Sequence, residues 1–159
     1  LHSVRSIVAA IAIAVCLVAT QVQSASASHT EADAVIDFAR AQLNKPFRLG
    51  TIGMRRFDCS GLVYRTFLET GLVDRIGGTR RRARGYFRWF RERGLVTSRP
   101  KPGDLVVWGR PVGHIGIFKG YNRRGKPIAI SALTGGVSKH KVHALNVRFR
   151  GYLRVRIQR

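Results

Sequence analysis

A chain of 159 residues, 45% of them apolar, is long enough for one domain whose core needs neither disulfides nor a structural metal. The 29 Lys and Arg against 8 Asp and Glu give a net charge of +21, which says nothing about fold and predicts attraction to polyanions. Two cysteines exclude a disulfide framework, the 5 histidines have no zinc-type spacing and no glycine-rich phosphate cradle follows a strand, so no metal and no cofactor are expected.

Residues 1–27 read as a secretory signal peptide. Arg5 supplies the positive start, Ile7 to Ala19 is the apolar core, and Ala25-Ser26-Ala27 has the form of a cleavage site. The core is short for a membrane span. Cys16 lies inside it, so the mature domain, 28–159, carries Cys59 as its one thiol. A lone thiol in an exported protein is either an inert buried group or a nucleophile.

The domain opens with a helix. Thr30 caps it, Asp33 completes a capping box, Val35, Ile36, Ala39 and Leu43 recur at helical spacing, and Asn44-Lys45-Pro46 stops it. A loop with Gly50 and Gly53 leads to Cys59, where a second helix begins. Leu62, Val63 and Phe67 mark its inner face and Gly71 closes it. Cys59 therefore sits at a helix N-terminus, where backbone N–H groups and the helix dipole favour a thiolate. The arginine-rich run 79–94 contains a third helix, with Phe87 and Phe90 inward and the arginines outward.

From Pro102-Gly103-Asp104 onward the pattern changes to strands: Leu105–Trp108, Ile115–Phe118, Ile128–Ala132, Val137–Val142 and Tyr152–Ile157, with a hairpin loop at Lys119–Lys126. Helices first and hairpin-linked strands after indicate an α+β fold, an antiparallel sheet of short strands with the helices packed on one side. A hairpin turn near Asn122-Arg123 sets His114 opposite residue 131 or 132. His114, at the start of a strand, can serve as base for Cys59 and later protonate the leaving amine.

Three runs carry a resemblance: Phe57-Asp58-Cys59-Ser60-Gly61-Leu62-Val63, Lys101-Pro102-Gly103-Asp104-Leu105-Val106-Val107-Trp108 and Gly113-His114-Ile115-Gly116-Ile117-Phe118. In order and spacing they resemble the NlpC family of bacterial cell-wall cysteine peptidases over almost the whole mature chain. The resemblance implies a papain-like fold and hydrolysis of amide bonds in peptidoglycan stem peptides. It implies Cys59 as nucleophile, His114 as base, and Asp58 and Ser60 as substrate-binding groups that hold the stem peptide's free amine. The chain departs from the pattern twice. Pro46 is followed by Phe47 where relatives have Tyr, and Ile130-Ser131-Ala132 stands where relatives place a His, Asn or Gln. Ser131 is thus the position expected to orient His114. His140 and His143 on the next strand are candidate substitutes, and surface histidines on the ordinary expectation.

The reading is a secreted, monomeric enzyme of the wall or periplasm, held by its charge to anionic wall polymers. A non-catalytic wall-binding module of the same fold, or an amidase or acyltransferase on the same scaffold, are the alternatives. Specific nucleic-acid binding would leave export and the Cys/His pair unexplained.

Overall fold

Thr30 accepts from the Asp33 amide while the Asp33 carboxylate accepts from the Thr30 amide, and this capping box starts α1 at Glu31–Ala41. The computed structural model describes residues 29–159. The expected signal peptide, 1–27, lies outside them. Helix α2 covers Cys59–Glu69 and α3 Ala83–Glu92. Among the described residues no helix is long and apolar enough to cross a membrane.

Six strands follow: β1 Val96–Thr97, β2 Leu105–Trp108, β3 His114–Tyr121, β4 Pro127–Leu133, β5 Gly136–Lys141 and β6 Phe149–Leu153. They form one antiparallel sheet in the order β1-β6-β2-β3-β4-β5. The α+β architecture read from the sequence is the one observed. Its period-2 alternation separates two cores. Leu105, Val107, Ile115, Ile117, Ile130 and Ala132 face the helices and bury Val35, Leu62, Phe67, Tyr86 and Phe90. Val106, Trp108, Phe118, Ala129, Val142 and Tyr152 form a smaller cluster on the other face.

The strand ends differ from expectation. β6 ends at Leu153 rather than continuing to Ile157, because the chain beyond it turns to Asp104. This carboxylate is fully buried. It accepts from the amides of Lys101 and Val155, from Arg154 Nε at 2.8 Å and from Arg159 Nη2 at 2.5 Å. The Pro-Gly-Asp turn therefore holds the C-terminal segment through Arg154 and Arg159.

Candidate active site

Asp58 builds the entry to α2. Its Oδ1 accepts from the Gly61 amide at 2.5 Å and from Ser60 Oγ at 3.0 Å, and its Oδ2 accepts from the Gly50 amide at 2.8 Å. The fourth donor is Arg80, 2.5 Å away across 22 residues of sequence. With both oxygens doubly engaged, this buried carboxylate caps the helix, pins the Gly50 loop and is charge-paired. Gly61 must be glycine. A Cβ there would lie 1.9 Å from the Thr51 carbonyl oxygen.

These contacts set Cys59 at the first position of α2, as expected from the sequence. Its sulfur is partly buried. The expected fall in thiol pKa is corrected by the structure. Burial pushes the Cys59 thiol above its ordinary value and the neighbouring Asp58 adds to that, outweighing the amides of Ile115, Ser60 and Cys59 itself. Burial thus favours the thiol over the thiolate in the resting site.

His114 opens β3, and burial together with nearby His140 pushes its imidazole down from 6.5 to about 4, so it too is neutral. Its Nε2 lies 3.0 Å from Ser131 Oγ. The hairpin register differs by one or two residues from the one expected. Ile117 pairs with Ile130, so Gly116 rather than His114 falls across from Ser131, after a bulge between Phe118 and Gly120. The imidazole reaches Ser131 diagonally over Gly116, where a Cβ would sit 2.9 Å from that of Ser131.

Ser131 is fully buried and has a second partner, His140 Nε2, at 2.8 Å. His140 is half-buried, not a surface histidine, and its Nδ1 lies 3.1 Å from the Lys141 carbonyl oxygen. A carbonyl only accepts, which assigns every proton in the chain. His140 Nδ1–H donates to Lys141, so His140 Nε2 accepts from the Ser131 hydroxyl. The Ser131 oxygen then accepts from His114 Nε2–H, which leaves the Nδ1 lone pair of His114 open on the side of the cavity it shares with Cys59. Trp108 supports both rings, with centroids 5.2 Å from His114 and 5.8 Å from His140, and its own Nε1–H donates to the Val142 carbonyl. His143 is exposed, edge-on to Phe149, and has no part in this chain.

A cavity of about 640 Å³ is lined by Phe47, Asp58, Cys59, Ser60, Arg80 and His114 among others. Sequence reading missed Arg80 as the partner of Asp58 and left His140 as a substitute rather than a link behind Ser131. Among the described residues no group of three His, Cys, Asp or Glu side chains could hold a metal. A thiol, an imidazole with an open nitrogen and a cavity joining them can perform acyl transfer.

Known proteins share the sequence pattern and the fold. The p60 "probable endopeptidase" of Listeria grayi is 31% identical over 123 residues, 76% of this chain and 21% of that protein. A "probable endopeptidase" of Corynebacterium glutamicum is 28% identical over 103 residues, 65% of this chain and 45% of the relative. The chain thus spans about a fifth to under half of these relatives. Among solved structures, the NlpC/p60 domain of the peptidoglycan hydrolase SagA matches with a TM-score of 0.55 and 23% identity, covering 77% of this chain and 97% of that domain. NlpC1 of Trichomonas vaginalis matches with a TM-score of 0.62 and 20% identity over 79% of this chain and 44% of its own. These likenesses carry the fold. The NlpC/P60 family model matches residues 44–147, a span that takes in Cys59, His114, Ser131 and His140, and the chain belongs to the NlpC/P60 family.

Proposed function

We propose that this protein is a cysteine endopeptidase that hydrolyses amide bonds in peptidoglycan stem peptides, acting outside the cytoplasm in the wall or periplasm. The observation that carries the reading is the fixed proton chain from the Lys141 carbonyl through His140 and Ser131 to His114, which leaves Nδ1 open beside a cavity shared with Cys59. Family membership and the endopeptidase names of the relatives support the substrate class.

The neutral pair sets the order of events. As Cys59 Sγ attacks the scissile carbonyl carbon, its proton passes to His114 Nδ1, so attack and deprotonation are coupled. The carbonyl oxygen becomes an oxyanion, which the first-turn amides of Cys59 and Ser60 can meet, those of Gly61 and Leu62 being held by Asp58. Ser131 accepts from Nε2–H of the imidazolium throughout, holding the ring in plane. The C–N bond then breaks, and the amine leaves with the proton from Nδ1. Water, deprotonated by the same nitrogen, opens the thioester. Asp58 and Ser60 shape the wall of the cavity next to the sulfur.

Purified wall digested with wild type should release stem fragments carrying a new amino and a new carboxyl terminus, identified by mass. Cys59→Ala and His114→Ala should release none, and the double variant should be hardly worse than either single one. Release by Cys59→Ala would overturn the reading. Cys59-dependent cleavage of a different amide or ester would move it to an amidase or acyltransferase.

A further inference from the structure

Helix α3 carries Arg84, Arg88 and Arg91 at spacings of four and three residues, which places them along one face. With Arg110 and Arg150 they ring a cleft of about 310 Å³. Its floor is apolar: Phe87, Pro111 and Val112. No carboxylate lines it, and none of the five arginines is in an ion pair among the described residues. The buried carboxylates Asp58 and Asp104 are taken by other arginines, Arg80 and the pair Arg154 and Arg159. Like charges at helical spacing repel. A cluster left without acids therefore works against folding and calls for counter-charge from outside.

The cleft continues toward the cavity of Cys59. A smaller hollow shares Arg82, Ala83 and Gly113 with the catalytic cavity, and Arg84 and Val112 with the arginine cleft. We propose that this passage is a docking track for a linear phosphodiester polymer of the bacterial wall, laid so that it leads to the catalytic cavity. The proposal rests on the peptidoglycan reading for what the cavity does, and on the cleft alone for what the track binds.

The track's chemistry selects its occupant. It is arginine throughout, without lysine, and a guanidinium offers paired N–H groups that grip the oxygens of one phosphate. Arg91 and Arg150 lie over the Phe87 ring, 5.5 and 5.3 Å from its centroid, which holds their planes in place. The same stacking covers the ring, and Arg81 and Arg93 cover Trp89. Nucleic-acid strands are bound by stacking bases on open aromatic faces, and Phe87, 9% exposed beneath Arg91 and Arg150, offers little of one in this cleft. A polyol phosphate strand needs no such face.

Binding is measured by fluorescence anisotropy with a glycerol-phosphate polymer, in a Cys59→Ala background so that turnover plays no part. Arg84→Gln/Arg88→Gln/Arg91→Gln should bind at least tenfold more weakly, with a flatter salt dependence and a thermal midpoint no lower than its parent's. Arg123→Gln/Arg124→Gln/Lys126→Gln removes the same charge from the β3–β4 turn, which Asn122 orders and which does not line the cleft, and should change affinity less than twofold. Should the α3 variant fold poorly, Arg110→Gln/Arg150→Gln, outside that helix, should show the same loss. Equal losses for groove and turn variants would mean net charge alone is read, which overturns the track. Tighter binding to a single-stranded oligonucleotide with the same number of phosphates would overturn the wall polymer. If wild type cuts no stem peptide while the contrast between variants holds, the function of the cavity is wrong and the track stands.

Discussion

Ser131 is a short side chain for orienting an imidazole, and it is His140 that makes it sufficient. Alone, the hydroxyl could rotate and offer its proton or its lone pair to His114. With His140 Nε2 taking its proton, only the lone pair is left. Ser131→Ala and His140→Phe should each lower kcat about tenfold, about 1.4 kcal/mol of transition-state stabilisation, with KM little changed. His140→Phe should cost nothing further in a Ser131→Ala background, because it acts through that hydroxyl. His140→Gln, whose amide oxygen still accepts, should recover part of the rate. Nitrogen-15 shifts of His114 should report one tautomer in wild type and a mixture in His140→Phe, and additive losses with an unchanged tautomer would contradict the chain. A larger side chain at 131 has little room, since Ser131 is fully buried against Gly116. The placement of Cys59 at a helix start and of His114 at a strand start was legible because each stands in a short run with strong local grammar, whereas Ser131 was placed through a hairpin register that the structure shifts. Arg80 was not, because its partner is 22 residues away and nothing local distinguishes it among its arginine neighbours. The thiol's pKa was read in the wrong direction for a related reason: a helix start is visible in sequence, but the burial that outweighs it is a tertiary property.

At the level of elements, the same residue type serves opposite ends. Asp104 ties the turn before β2 to the segment after β6, where Arg154 also donates to the Arg99 carbonyl. Asp104→Ala would leave two part-exposed guanidinium groups and two amides without their buried acceptor. Loss of one partner from a buried ion pair costs about 3–5 kcal/mol, so urea denaturation should show a fall of that size, with β6 amides exchanging fastest. A loss below about 1 kcal/mol would mean water replaces the carboxylate without penalty. Helices were the more legible elements, since Thr30, Asp33 and Asp58 announce their starts by side-chain chemistry. The two-residue β1 has no pattern to read and exists only because Val96 and Thr97 pair with β6. The β3 bulge was equally invisible, and it displaced the hairpin register that sequence reasoning placed at His114.

For the whole molecule, burying neutral histidines makes the fold acid-sensitive. The unfolded imidazole of His114 takes its proton near 6.5 and the folded one near 4, so between these values the unfolded state binds more protons. Stability is therefore full above about pH 6.5 and falls as pH drops toward 4. At about 1.4 kcal/mol per pH unit the loss from this group reaches about 3 kcal/mol, and His140, also pushed down by burial, adds in the same direction. Urea midpoints at pH 7 and pH 4.5 should differ clearly in wild type and less in His114→Gln; identical differences would remove His114 as the cause. The central claim is that the Cys59 sulfur attacks a stem-peptide carbonyl, and it is tested most directly by quenching a wall digestion in acid during turnover and weighing the Cys59 peptide. The account predicts a mass increase equal to an acyl fragment of the stem, released by hydroxylamine as a thioester and absent in His114→Ala. Fragments released at full rate while Cys59 stays unmodified, with Cys59→Ala equally active, would contradict it.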